Sequence, residues 1–145
     1  MTLLSRGADY AIRAMLDVAC QPEGERTVTE RIAERQEIPA AFLSKVVAQL
    51  TQAGLMRTHR GAAGGVLLGK PAEQINLRQI VEAVQGPIIV NLCTGPYDGC
   101  QRAVSCPASS VLMAAQRGLE EKLERAILAE LSSEAARLAE AREGR

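Results

Sequence analysis

The sequence predicts a mainly α chain, on three observations. Aromatic residues are nearly absent: Tyr10, Phe42 and Tyr97 are the whole set and tryptophan is missing, so the core must be built from Leu, Val, Ile and Ala. Apolar residues recur at three- and four-residue spacings through most of the chain, the period of an amphipathic helix. Only the segment 55–68 is short and glycine-interrupted enough to read as a pair of strands. At 145 residues the length suits one domain, or one small domain with an appendage.

The first helix is expected over Gly7–Ala19, where Ala11, Met15, Val18 and Ala19 form one apolar stripe. A polar run, 21–26, ends it. Thr27 followed by Glu30 is a capping-box pattern, opening a short helix that runs to Glu34. Gln36, Glu37 and Ile38 then form a turn, and Pro39 suits the first turn of a third helix, where its missing N–H does no harm. That helix carries Leu43, Val46, Val47 and Leu50 on one face and Ala41, Ser44, Lys45, Ala48 and Gln49 on the other. Gly54 stops it as a left-handed cap.

Two short helices joined by a tight turn, the second presenting small and polar residues, make a helix-turn-helix. The small side chains allow close approach to a groove, and Ser44, Lys45 and Gln49 can bond base edges or phosphates. Residues 55–60 and 66–68 read as two strands around a glycine-rich turn, a wing directly after the recognition helix. Arg60 at the wing's edge suits a minor groove. Arg57, His59, Gly61 and Gly64 complete the candidate DNA contacts. A phosphate-binding loop is the competing reading of these glycines, but no Gly-Lys-Ser/Thr and no helix follows them.

Charge distribution agrees with this reading better than net charge, which is zero. From Ile38 to Ala72 there is no Asp or Glu, while Lys45, Arg57, Arg60 and Lys70 all fall inside that stretch. A locally cationic face on a neutral protein binds phosphate while limiting non-specific affinity. The N-terminal segment lacks a secretory pattern and no run of about 18 apolar residues exists, so a cytoplasmic chain without membrane contact is expected. One histidine, His59, and no clustered carboxylates or nucleophile motif argue against an enzyme.

After Pro71, Asn76 caps a short helix that Gly86 stops. A loop holding Cys93, Cys100 and Cys106 follows, broken by Gly95-Pro96 and Asp98-Gly99. Leu112, Ala115, Leu119, Leu123, Ile127 and Leu131 then predict one long helix over 108–131. A helix of roughly 24 residues spans ~36 Å, too long for a small winged domain to bury, so it is expected to pack against a second copy of the chain. The expected parts are a DNA-binding domain at 1–72, a short helix with the cysteine loop at 73–107, a dimerisation helix at 108–131 and a weakly helical tail at 132–145. The fold class is thus a mainly α winged helix-turn-helix with a long C-terminal dimerisation helix.

Three cysteines in a C-x6-C-x5-C pattern can wrap thiolates around a metal. Structural zinc sites use tighter cysteine pairs, which are absent here. A cluster-free thiol switch through Cys100 and Cys106 is the competing reading. Cys20 is a further ligand candidate, but beside Ala19 on the apolar side of the first helix it reads better as a small hydrophobe.

Three runs carry a family resemblance: SRGADYAIRAMLDVA, IAERQEIPAAFLSKVVAQLTQAGL and RTHRGAAGGVLLGK. They resemble the IscR/NsrR family of bacterial winged-helix regulators from about Leu4 to Leu131, and the three cysteines lie where that family carries iron–sulfur ligands. The resemblance implies a homodimer on a dyad-symmetric site in double-stranded promoter DNA. It further implies base contacts by Ser44 and Lys45, a minor-groove contact by Arg60, and sensing of nitric oxide, redox stress or iron–sulfur status, with repression as the expected direction of control. IscR-like members place a histidine three residues after the last cysteine; here that position is Ser109. NsrR-like members resemble this chain at Asp9, which the resemblance makes the fourth-ligand candidate. Loss of the histidine favours a 4Fe-4S over a 2Fe-2S cluster.

Overall fold

The N-terminal helix shows how local sequence sets the first element. Ser5 is its N-cap, its side-chain oxygen accepting from the Ala8 amide at 3.0 Å, which satisfies one of the donors a helix start leaves unpaired. In the computed structural model, which describes residues 2–61, 64–96 and 99–145, α1 spans Arg6–Ala19. Ala8, Ala11, Ala14, Met15 and Val18 are buried, and these mostly small side chains let the rest of the domain pack close to the α1 backbone. The expected turn at Asp98-Gly99, with Tyr97, and Ala62-Ala63 of the wing fall wholly or partly outside the described residues.

Helix α2 spans Thr29–Gln36 and α3 spans Ala40–Gln52. The expected capping box at Thr27 is corrected: Val28 is the N-cap and no side chain caps α2. Thr27 instead pairs with Val66 as an antiparallel bridge, its amide donating at 3.1 Å and its carbonyl accepting at 2.8 Å. A β-branched residue suits that extended backbone, and the bridge ties the wing to the start of α2. Pro39 sits at the N-cap of α3 rather than inside its first turn. Glu37 takes a left-handed φ of 52° in the tight turn between the helices. Gly54, at φ 77°, lies just beyond the end of α3. The Leu55 amide donates to the Leu50 carbonyl at 2.9 Å and the Gly54 amide to Thr51 at 3.0 Å, a Schellman motif.

Strands β1 (Met56–His59) and β2 (Gly65–Leu68) pair antiparallel, with Met56 opposite Leu68 and His59 opposite Gly65. Helix α4 (Leu77–Gln85) begins with a full capping box. Asn76 Oδ1 accepts from the Gln79 amide, and Gln79 Oε1 from the Asn76 amide, both at 2.9 Å.

The C-terminal region departs from expectation. The single helix expected over 108–131 is two: α5 (Pro107–Arg125) and α6 (Leu128–Glu143). No glycine or proline breaks it. The Ala126 carbonyl accepts from the Leu77 amide at 3.0 Å, and the Leu128 amide donates to the Ile75 carbonyl at 2.8 Å. This backbone pairing pulls Ala126 and Ile127 out of helical geometry. Leu128 is thereby buried in the main core with Met15, Ile32, Leu43, Leu50, Met56 and Ile80, and α6 turns back along α1. Each such buried aliphatic side chain contributes about 1.5–3 kcal/mol. The tail expected to be weakly helical forms most of α6. A smaller cluster of Ala8, Val81 and Ile88 packs against Leu119 and Leu123 of α5. The N-terminal half of α5 stays open: Val111 is 67 % exposed and Met113 43 %. Among the described residues, no helix is long and apolar enough to cross a membrane.

Candidate functional site

Burial of Leu43, Val46, Val47 and Leu50 fixes which side of α3 is left outside. Ala41, Ser44, Lys45 and Ala48 are exposed there. The Ser44 hydroxyl donates back to the Ala40 carbonyl at 3.1 Å, leaving its oxygen free to accept. Lys45 makes no ion pair among the described residues. Gln49 is placed differently from the other candidates. Its Nε2 donates to the Val84 carbonyl of α4 at 3.2 Å, so its amide braces α3 against α4.

A groove of about 590 Å³ separates α3 from the hairpin, lined among others by Ser44, Ala48, Gln52, Thr58 and His59. His59 therefore faces the recognition helix. Arg57, two residues earlier on β1, instead lines a cleft with Val18, Leu68 and Ser132. Arg60 follows β1 and is exposed. Gly61 has φ 100°, and the Gly64 amide closes the turn on the Gly61 carbonyl at 2.8 Å. A Cβ on Gly64 would lie 2.7 Å from the His59 carbonyl oxygen, so the wing turn has no room for a side chain there.

The cysteines sit between α4 and α5. Cys93 lies in a 3-10 turn, Leu92–Thr94, and Cys106 is the N-cap of α5. Cys93, Cys100 and Cys106 are free and half-buried, and Cys20 is free and exposed. The Asn91 side-chain amide lies 3.7 Å from Cys93 Sγ. Ser109 is buried on the first turn of α5. Asp9 projects from α1, and its carboxylate accepts from Arg13 at 2.9 and 3.1 Å.

The chemistry of this donor set fits an iron–sulfur cluster: soft thiols, none in a disulfide, all on one short segment. The single chain does not gather them. Among the described residues, no three His, Cys, Asp or Glu side chains converge into a group that could hold a metal ion. Cys93, Cys100 and Cys106 would be the ligands, and Asp9 would have to exchange Arg13 for iron.

Sequence reasoning missed two organising side chains. Asp17 is 5 % exposed and accepts from Arg35 and Gln36. Gln116, also buried, anchors the base of the cysteine loop to α5. Both are polar residues inside helical patterns, and the only available signal was their position on an otherwise buried stripe.

Comparison with known proteins agrees with this geometry. The Rrf2 family model, described as an iron-dependent transcriptional regulator, matches residues 4–134. A Haemophilus influenzae protein named as an HTH-type transcriptional regulator is 36 % identical over 131 residues, covering 90 % of this chain and 86 % of its own length. The regulator IscR of Cronobacter sakazakii is 39 % identical over 106 residues, which are 73 % of this chain and 64 % of IscR, so the match spans less than two thirds of that relative. Among solved structures, T. potens IscR superposes with a TM-score of 0.74 at 26 % identity, covering 91 % of this chain and 87 % of the other. CymR of B. subtilis, a global cysteine regulator, superposes with a TM-score of 0.76 at 24 % identity over 92 % and 98 % of the two chains, a likeness of fold.

Proposed function

The chain belongs to the Rrf2 family of transcriptional regulators, and from that premise we propose that it is an iron–sulfur cluster-dependent repressor of promoter DNA. It acts as a homodimer and senses nitric oxide, redox stress or iron–sulfur status. The observation that carries this reading is the placement of Cys93, Cys100 and Cys106: free, half-buried and confined to the one segment that joins the DNA-reading domain to α5.

The residues of the chain divide the work. Ser44 and Lys45 enter the major groove from α3, and Arg60 reaches the minor groove from the wing. His59, Gly61 and Gly64 shape the edge that meets the backbone. Gln49 and Arg57 contribute from the flanks of that surface, the first by bracing α3. The exposed apolar residues Val111 and Met113 of α5 form the face that a second copy covers. Two copies then present two recognition helices to a dyad-symmetric site. When bound, a 4Fe-4S cluster supplies a centre that nitric oxide or oxidants attack. Asp9 as its fourth ligand makes the site more labile than a fourth thiolate would.

Anaerobic purification with absorbance and Mössbauer spectra tests this reading, and Asp9→Ala is measured in parallel. A brown protein with about one cluster per chain is expected, bleaching with nitric oxide as its affinity for promoter DNA changes. An intact cluster that ignores nitric oxide and oxidants while DNA affinity stays constant would refute it. A second reading is a cluster-free thiol regulator, in which Cys100 and Cys106 form a reversible disulfide, giving two protons and two electrons to an oxidant such as peroxide. Its support is the likeness to CymR, solved for Staphylococcus aureus in an oxidized form at 26 % identity. A colourless protein whose DNA affinity changes with peroxide would establish it.

A further inference from the structure

The Gln116 side chain is 7 % exposed, and both its amide nitrogen and its carbonyl oxygen are hydrogen-bonded. Its Oε1 accepts from the Val90 amide at 2.8 Å and lies 3.1 Å from the Thr94 hydroxyl. Its Nε2 donates to the Ile88 carbonyl and, at 2.7 Å, to Glu120 Oε1. Three of these four partners, Ile88, Val90 and Thr94, belong to the segment that carries Cys93. Thr94 closes the same turn from inside, its Oγ1 accepting from the Asn91 amide at 3.1 Å and lying 2.8 Å from the Asn91 carbonyl. The Cys93 turn is therefore hydrogen-bonded to α5 through one side chain, beside the apolar packing of Ile88 on Leu119 and Leu123.

The fourth partner leads away from the loop. Glu120 faces Arg78 of α4 at 3.6 Å, and Arg78 also bonds Glu82 at 3.0 Å and Glu124 at 2.6 Å. The three carboxylates keep the Arg78 guanidinium charged, the hydrogen bond to Glu82 contributing most. At the far end of α4, the Val84 carbonyl receives the Gln49 amide of α3 at 3.2 Å. A continuous path of polar contacts and one rigid helix thus runs from Cys93 to the recognition helix.

We propose that Gln116 is the positioning residue of the cysteine turn, and that the chain Gln116–Glu120–Arg78–α4–Gln49 carries the state of Cys93 to α3. The proposal rests on the cysteine loop being the sensor. Its logic is that of a two-state strut: Gln116 either bonds the turn and Glu120 together or, when chemistry at Cys93 moves the turn, loses both. Contiguity alone does not establish coupling, so each half has its own measurement.

The first measurement reads positioning. Gln116→Met keeps the side-chain volume and removes every hydrogen bond. In the reduced, metal-free full chain, iodoacetamide labelling followed by mass spectrometry gives the Cys93 rate against that of Cys20, the C-cap of α1. The ratio is expected to rise about tenfold, the order expected when local opening loses one or two net hydrogen bonds. An unchanged ratio with a lowered Tm means that Gln116 is only a structural brace and overturns the proposal. Thr94→Val, which removes one hydroxyl at the turn, is the milder second variant and is expected to move the ratio in the same direction. Where the purified chain carries iron, the rate of its visible absorbance loss to a chelator replaces labelling, so the positioning measurement holds whether or not the cluster reading does.

The second measurement reads coupling. Alkylating Cys93 with N-ethylmaleimide, in a chain whose other cysteines are serine, is expected to change amide hydrogen exchange over 40–52. Arg78→Ala is expected to abolish most of that change. An equal change in both chains, or none in the parent, overturns the coupling.

Discussion

The guanidinium of Arg35 grips both carboxylate oxygens of Asp17, at 2.6 and 2.9 Å, and so fastens α2 to α1 beneath the turn that orients the recognition helix. Asp17 is nearly inaccessible, while Arg35 is 42 % exposed in its side chain. Arg35→Ala strands a buried carboxylate with only Gln36 as a donor, whereas Asp17→Asn lets Arg35 return to water. Arg35→Ala is therefore expected to cost about 2–3 kcal/mol and Asp17→Asn about 1–2 kcal/mol. Urea midpoints at constant slope check the order. The bond to Asp17 raises the Arg35 pKa. A raised pKa stabilises fully below the unfolded value and fades only as pH climbs through the folded one, so this contribution is constant across the neutral range.

DNA affinity distinguishes the cationic side chains of α3 and the wing. Lys45→Ala and Arg60→Ala are each expected to weaken specific binding by about 1–3 kcal/mol and to lower the salt slope by about one. Arg57→Ala is expected to cost less, because Arg57 lines the cleft with Val18, Leu68 and Ser132 and not the groove beside α3. Fluorescence anisotropy over a salt series reads all three, and equal losses from Arg57 and Arg60 would contradict that placement of Arg57.

The open half of α5 predicts its own variant. Val111→Glu places a charge in the proposed dimer face without touching the core. Sedimentation is expected to show a monomer with unchanged helix content. A dimer that survives Val111→Glu and Met113→Glu together would move the interface elsewhere.

Cys20 has a predictable pH response. Partial burial, followed by the negative charge of Asp17, pushes its thiol above the ordinary range. The folded chain therefore holds this proton where the unfolded chain has lost it, and the stabilisation is lost as pH rises through the folded value. Iodoacetamide at mildly alkaline pH is expected to modify Cys20 more slowly in the native chain than in urea, in a variant with the other three cysteines replaced by serine. Equal rates would show that burial does not govern it.

Helix capping offers a calibration. Asn76→Ala removes one half of a reciprocal capping box and is expected to cost about 1 kcal/mol, read as a fall in Tm. Asn76 also pairs with Ile127 through backbone, so a much larger loss would mean that the α5–α6 break depends on this cap.

Much of the site could be read from the chain alone because its signals are short-ranged. The apolar stripe of α3, the Gly54 stop, the glycine turn of the wing and the Asn76 cap each depend on neighbours within a few residues. Leu43 and Leu50 had to face inward, so Ser44 and Lys45 had to face out. Thr27 shows where local reading fails. Its spacing to Glu30 satisfied a capping pattern, yet Val66, far along the chain, offered its backbone a pair of hydrogen bonds instead. Gln49 shows the same: its position on the outer face was legible, but Val84 turned its amide inward.

The sequence by itself determined the helices, the wing, the cationic stretch and the cysteine spacing, since all follow from periodicity, backbone preference and composition. Only the tertiary structure decided that the long apolar repeat breaks at Ala126. It also decided that α6 returns to the core, that Arg57 and His59 line different clefts, and that Gln116 holds the cysteine turn. The physical reason lies in the bonds that made those choices. Leu77 to Ala126, Leu128 to Ile75 and Gln116 to Ile88 join residues tens of positions apart, and no local pattern encodes which of them will meet.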